Sequence, residues 1–197
     1  MAASPGMCER GTGFAPPVEG VRILAISGSL RARSTNSALL DTMAHLRLPD
    51  VVVARYEGLA TLPHFDPDAD REPLDPAVFD LRQQLHVARA LLVSTPEYAG
   101  ALPGSFKNAL DWMIGDDQPG SISGKPVAWI NTSIREARHA HESLRLVLSY
   151  ANSHIVHEAC AHIPVMESDI TPDGLVANPD IVSATTETIT RLAASVN

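Results

Sequence analysis

The sequence predicts an α/β fold, a doubly wound parallel sheet of five strands in the order 2-1-3-4-5 with helices on both faces. Three observations lead there. Short apolar runs alternate along the chain with longer segments whose apolar residues recur at helical spacing. The runs VRILAIS (21–27) and ALLVS (90–94) are nearly continuous in apolar residues, as strands covered on both faces are. The first turn reads G-S-L-R-A-R-S, with one glycine, so it lacks the G-x-G-x-x-G fingerprint of a six-stranded dinucleotide-binding sheet.

The elements follow in order. Residues 21–27 form the first strand. Residues 34–48 form a helix with Leu39, Leu40, Met43 and Leu46 on its apolar side and Ser34 as a candidate N-cap. A second strand spans 51–56. Residues 59–73 are rich in Pro and Asp and form a loop. A helix over 76–88 carries Phe79, Leu81, Leu85 and Val87, and a third strand covers 90–94. Pro103 opens a helix over 102–114. A fourth strand (127–131), a helix (136–151), a fifth strand (153–161) and a closing helix (179–196) complete the pattern.

A chain of 197 residues suits one domain, here 21–197, preceded by a Gly-, Pro- and Ala-rich flexible tail over 1–20. Charged residues make up 19% and hydrophobic ones 45%, which argues against disorder. The net charge is −8 and the basic residues are scattered, so nucleic acid is not an expected partner. No apolar run approaches the roughly 18 to 20 residues of a membrane helix, and no membrane partner is expected. Cys8 and Cys160 make no disulfide framework, and a reducing cytoplasm is the simplest setting.

In an open parallel sheet, ligands bind beyond the carboxyl ends of the strands where the strand order reverses, here between strands 1 and 3. The loop after strand 1, GSLRARSTN, puts two Arg, three hydroxyls and an Asn into nine residues and enters a helix N-terminus. Ser29, Arg31, Ser34 and Asn36 are therefore candidate donors to a phosphate. The loop after strand 3, TPEYAGALPG, combines an irregular Pro/Gly backbone with the ring of Tyr98, which suits a flat ligand. The loop after strand 4, NTSIREAR, adds small polar groups. A phosphate at one loop and a planar ring between the other two describe a mononucleotide with a flat head group, a shape that flavin mononucleotide (FMN) fits.

GSLRARSTN followed by TPEYAGALPGSFKNALDW resembles the NADPH-dependent FMN reductase family of quinone, chromate and azo-dye reductases, and the likeness runs from about residue 21 to 165. The resemblance implies a flavodoxin-like fold and non-covalent FMN. It places Ser29, Arg31, Ser34 and Asn36 at the phosphate and Pro96, Glu97, Tyr98, Ala99 and Gly100 along the isoalloxazine ring. Two departures stand out. Many members have Asn where this chain has Ala99, and the family's often Gly-rich third loop is TSIREARHA here, with Ser133 and Arg135 as its matching polar positions. The implied reaction passes hydride from NADPH or NADH through FMN to a small acceptor by a ping-pong route, with no side-chain nucleophile or base. A homodimer or homotetramer is implied too, with part of the helix bearing Phe106, Leu110, Trp112 and Met113 at the interface. Arg33, Arg135 and Arg138 are the candidates to read a 2′-phosphate. Two other readings stay open, a flavodoxin-type electron carrier and a flavin-free ligand-binding or structural member.

Other clusters favour plainer roles. On one strand, His154, Cys160 and His162 would share a face that His157 does not, spreading them along the strand, so no metal ligands are assigned. His139 and His141 read as solvated residues at a helix start. The acidic FDPDAD loop reads as a turn, with Phe65 as a candidate contact to the flavin or a subunit boundary. Trp112 and Trp129 read as core or interface.

Overall fold

The computed structural model describes residues 20–196, so the expected tail lies outside the described residues apart from Gly20. The strands are β1 (Val21–Ser27), β2 (Val51–Tyr56), β3 (Ala90–Ser94), β4 (Pro126–Asn131), β5 (His154–Ile155) and β6 (Ala161–His162). The helices are α1 (Thr35–His45), α2 (Pro76–Val87), α3 (Gly104–Ile114), α4 (Arg138–Tyr150) and α5 (Pro179–Ala194). The strand order is β2-β1-β3-β4-β5, all parallel, as expected from the sequence.

Alternation along each strand sorts the core into two layers. Leu24, Ile26, Leu91 and Val93 pack against Leu81 and Leu85 of α2, Phe106 and Leu110 of α3 and Leu144 of α4. Ile23, Ala25, Leu92 and Ile130 face the other way, onto Leu39, Leu40 and Met43 of α1 and Ile189 and Leu192 of α5. Burial of each large aliphatic side chain contributes about 1.5 to 3 kcal/mol.

Several boundaries differ from expectation. The fifth strand is two short segments, each paired with β4, separated by a single 3-10 turn at His157–Ala159. His154 and His162 thus belong to separate strands. Ala159, buried in the turn, packs onto the face that carries α1 and α5. Pro103 precedes α3 as its N-cap residue rather than opening it. On α3, Phe106, Leu110, Trp112 and Met113 are all fully buried, so they form core, not interface. Helices do leave apolar side chains in solvent, at Phe79 and Val87 on α2 and at Leu146 and Tyr150 on α4. Phe65 packs edge-on against Trp112 at 4.9 Å, on the α3 side. In the acidic loop, Asp66 Oδ1 accepts from the Asp68 amide, and Asp70 pairs with Arg82 at 2.8 Å.

Two backbone details position the site. A Cβ at Gly28 would lie 2.2 Å from Thr95 Oγ1, so only glycine lets the loop after β1 pass so close to the end of β3. After β3, Tyr98 and Ala101 exchange two backbone hydrogen bonds of 3.0 Å around Ala99 (φ 50°) and Gly100 (φ 71°). This is a type I′ two-residue hairpin, which favours Asn-Gly because both central residues are left-handed. Alanine pays a cost of about 1 kcal/mol there. Ala99→Asn should accordingly raise stability by about 0.5 to 1 kcal/mol, read as a higher thermal midpoint.

Lys125, buried just before β4, donates to Ala88 O at 2.6 Å. Burial, helped by the charge of Arg89, pushes its ammonium down to about 8. The unfolded chain therefore keeps this proton at pH values where the folded chain has released it. Stability from this group rises as pH climbs from about 8 toward 10.5. Wild type should gain about 2 kcal/mol relative to Lys125→Met between about pH 7 and about pH 10, measured by urea unfolding.

Candidate functional site

A cleft of about 1170 Å³ opens at the carboxyl ends of β1, β3 and β4, where the strand order reverses. Three loops and one further segment wall it.

The loop after β1 is folded by its own hydroxyls. Ser27 Oγ accepts from the Ser29 amide (3.2 Å) and from Ser37 Oγ (2.9 Å), and Ser29 Oγ accepts from the Arg31 amide (3.2 Å). Ser34 caps α1, accepting from the Ser37 amide at 3.4 Å. The amides of Thr35 and Asn36, the first two of the helix, have no acceptor among the described residues. They sit at the positive end of the helix dipole. Ser29, Arg31 and Ser34 line the cleft, and Arg31 is exposed with no ion pair among the described residues.

Asn36 lines the cleft too, but its side chain is buried and largely committed. Its Oδ1 accepts from Thr132 Oγ1 at 3.0 Å and lies 2.8 Å from Ser94 Oγ. The Ser94 hydroxyl is equally close to Ile130 O, so its one proton serves either acceptor. Thr35 Oγ1 lies 3.2 Å from Thr132 Oγ1 and extends the network. With Oδ1 used, the Asn36 NH₂ remains the donor for a ligand.

From the loop after β3, Pro96, Glu97 and Tyr98 line the cleft, whereas Ala99 and Gly100 form the hairpin tip and do not. Tyr98 is 42% exposed, and its hydroxyl lies 3.5 Å from Ser29 Oγ across the cleft. The Glu97 carboxylate is already used. It accepts from the Ala140 amide at 3.1 Å and supplies the anion at the N-terminus of α4, whose own N-cap residue, Ala137, has no side-chain cap.

From the loop after β4, Ser133 and Arg135 line the cleft, with Ile134 exposed between them. Ser133 Oγ accepts from the Arg135 amide at 3.1 Å. Arg135 has no ion pair among the described residues, whereas Arg33 pairs with Glu167 and Arg138 with Glu136, each at 3.3 Å.

Sequence reasoning missed Thr132 and the wall formed by Val165, Met166, Glu167 and Ile170–Leu175. The Pro, Gly and Asp content of that last segment marks a loop, and its position just after the β6 end was the available signal. His141 was misread as solvated. It is partly buried, donates from Nδ1 to Ala137 O at 2.9 Å, and leaves Nε2 buried with no partner. Desolvation, chiefly, pushes it below the usual histidine range, so the ring is neutral near pH 7. Cys160, partly buried, donates to Val156 O, and burial pushes its thiol up to about 11. Among the described residues no three metal-ligating side chains come together, and no helix is long and apolar enough to cross a membrane.

Comparison with known proteins places these features in context. The model of the NADPH-dependent FMN reductase family matches residues 21–165. An NAD(P)H-dependent FMN reductase of Pseudomonas aeruginosa is 35% identical over 137 residues, 68% of this chain and 72% of that protein. A 2-hydroxy-1,4-benzoquinone reductase of Burkholderia sp. is 30% identical over 167 residues, 81% of this chain and 87% of that protein. A solved flavoenzyme NAD(P)H:(acceptor) oxidoreductase from Paracoccus denitrificans superposes with a TM-score of 0.74 at 25% identity, covering 89% of this chain and 97% of its own. The matched segment contains β1 through β6 and all three loops at the strand ends, and on that basis the chain belongs to the NADPH-dependent FMN reductase family.

Proposed function

We propose that this protein is an FMN-dependent NAD(P)H oxidoreductase that reduces a small acceptor of the quinone class by a ping-pong route. The observation that carries the reading is the unused donor set at the switch point. Two helix amides without an acceptor among the described residues, the Arg31 guanidinium, the Ser29 hydroxyl and the Asn36 NH₂ all belong to residues that line the cleft. That set fits a phosphate monoester, with charge supplied by Arg31 and by the α1 dipole. Tyr98 and the exposed Ile134 offer apolar surface at the other loops, which fits a flat ring. The donor set and the ring walls of this chain's own residues therefore suit FMN.

When bound, FMN supplies the hydride-accepting and hydride-donating chemistry between NAD(P)H and the acceptor. The protein's residues bind and orient. Ser34 and Ser27 hold the loop after β1 in shape, Glu97 fixes α4 behind the third loop, and the Asn36 network joins the three strand ends. The names of the relatives from Pseudomonas aeruginosa and Burkholderia sp. support the donor and acceptor classes. Residues 21–197 act as one unit in this reading, and the two-cysteine chain suits a cytoplasmic setting. An apolar groove of about 410 Å³ lined by Phe65, Ile114, Leu146 and Tyr150 supports self-association as a homodimer or homotetramer. Tyr150 there is 84% exposed.

Arg31→Ala combined with Ser34→Ala should weaken FMN binding about 10- to 100-fold, followed by quenching of flavin fluorescence on titration. FMN binding as tight as in wild type would refute the phosphate site and leave Ser34 as a helix cap alone.

Arg135 is the one of three candidate arginines without an ion pair among the described residues, and we propose that it reads the 2′-phosphate of NADPH. Arg135→Ala should raise the KM for NADPH about tenfold and leave that for NADH nearly unchanged. Steady-state kinetics with both donors decides this.

A further inference from the structure

The loop after β4 takes a shape that ordinarily calls for glycine, yet it has none. Glu136 (φ 66°) and Ala137 (φ 45°) are consecutive left-handed residues. The amides of Glu136 and Ala137 bond back to Ser133 O (3.4 Å) and Arg135 O (2.9 Å), and side chains from outside the loop hold the strained pair further.

The loop's carbonyls show which ones. Asn131 stands at the end of β4, beside His162 of β6 in the register of that short pair. The Asn131 side chain uses both ends, Oδ1 accepting from the Ser133 amide at 3.0 Å and Nδ2 donating to Glu136 O. His162 Nε2 donates to Ser133 O at 2.7 Å, and His141 Nδ1 donates to Ala137 O at 2.9 Å. Both acceptors are carbonyls, which fixes the ring proton on the bonded nitrogen in each case. Three carbonyls, those of residues 133, 136 and 137, thus each receive a side-chain donor from a different element or from the strand end. Between the pinned points lie Ile134 and Arg135, which line the cleft.

We propose that Asn131, His162 and His141 are positioning residues that clamp the third loop into the conformation that presents Ser133 to Arg135 to the flavin, replacing the glycines such a loop would otherwise need. This rests on the flavin reading above. None of the three side chains needs to touch the flavin for the clamp to act. They work through the backbone between them. The clamp also accounts for β6, a two-residue strand whose pairing sets His162 beside Asn131.

The test uses Asn131→Ala, His162→Leu and His162→Gln, together with Asn131→Ala carrying Ala137→Gly. His162 is exposed, so its variants leave the core intact. Two readouts are taken, amide hydrogen exchange of residues 132–138 without flavin and FMN affinity by fluorescence titration. The expected result is exchange about tenfold faster in that segment for Asn131→Ala and His162→Leu, with β1 and β3 unchanged, and FMN binding about tenfold weaker. His162→Gln keeps a donor and should restore both, and Ala137→Gly should recover FMN binding in the Asn131→Ala background. Unchanged exchange would overturn the clamp. Faster exchange with unchanged FMN affinity would overturn its positioning role. A wild-type chain that binds no FMN would instead overturn the flavin reading, and the exchange comparison would still decide the clamp.

Discussion

The cleft depends on one buried carboxamide. Asn36 Oδ1 accepts from Thr132 at the start of the loop after β4 and lies within reach of the Ser94 hydroxyl at the end of β3, while its backbone belongs to the first turn of α1. Parallel strands have no direct connection at their carboxyl ends, since each chain segment leaves there for a helix. Without a tie, three loops would move independently. Asn36, Ser94 and Thr132 are all less than a tenth exposed, so each lost hydrogen bond would leave a buried polar atom unpaired, at a cost of about 1 to 3 kcal/mol. The network therefore sets the distance between the anion-binding helix end and the two loops opposite. The Gly28 approach to Thr95 serves the same purpose from the backbone side.

Much of this was legible in the sequence because it is local. The runs at 21–27 and 90–94 have no polar face, and a strand buried on both sides is the only short element that tolerates that. Ser34 reads as a cap from its own neighbourhood, and it is one. The fifth strand failed because β-branched and small residues over 153–161 look extended, whereas the buried Ala159 is accommodated by a 3-10 turn that only tertiary packing explains. Asn36 was read as a ligand donor from its place in GSLRARSTN. Its oxygen answers to Ser94 and Thr132, 58 and 96 residues away, and no local pattern contains that. Glu97 follows the same logic, a carboxylate in a ring-lining motif that completes the start of a helix 43 residues on.

Left-handed residues cluster where the chain deals with the cleft. Ala99, Glu136 and Ala137 are three of the five non-glycine residues with positive φ among the described residues, and all three lie in the loops after β3 and β4. Ala99 and the third loop without Gly, the two points where the sequence differs from the pattern it resembles, lie in the same two loops. A hairpin's cross-strand hydrogen bonds hold the backbone in one loop, and side-chain donors hold it in the other.

The raised pKa of Cys160 has a chemical consequence for a protein of this family. Only the thiolate reacts readily with peroxides or disulfides. With burial pushing the thiol up to about 11, the thiolate is a minor form at this position near neutral pH. This sulfur, on the segment between β5 and β6, is thereby kept out of sulfenic acid formation and mixed-disulfide exchange. Burial of this sulfur thus limits how readily oxidants are recorded on this side chain.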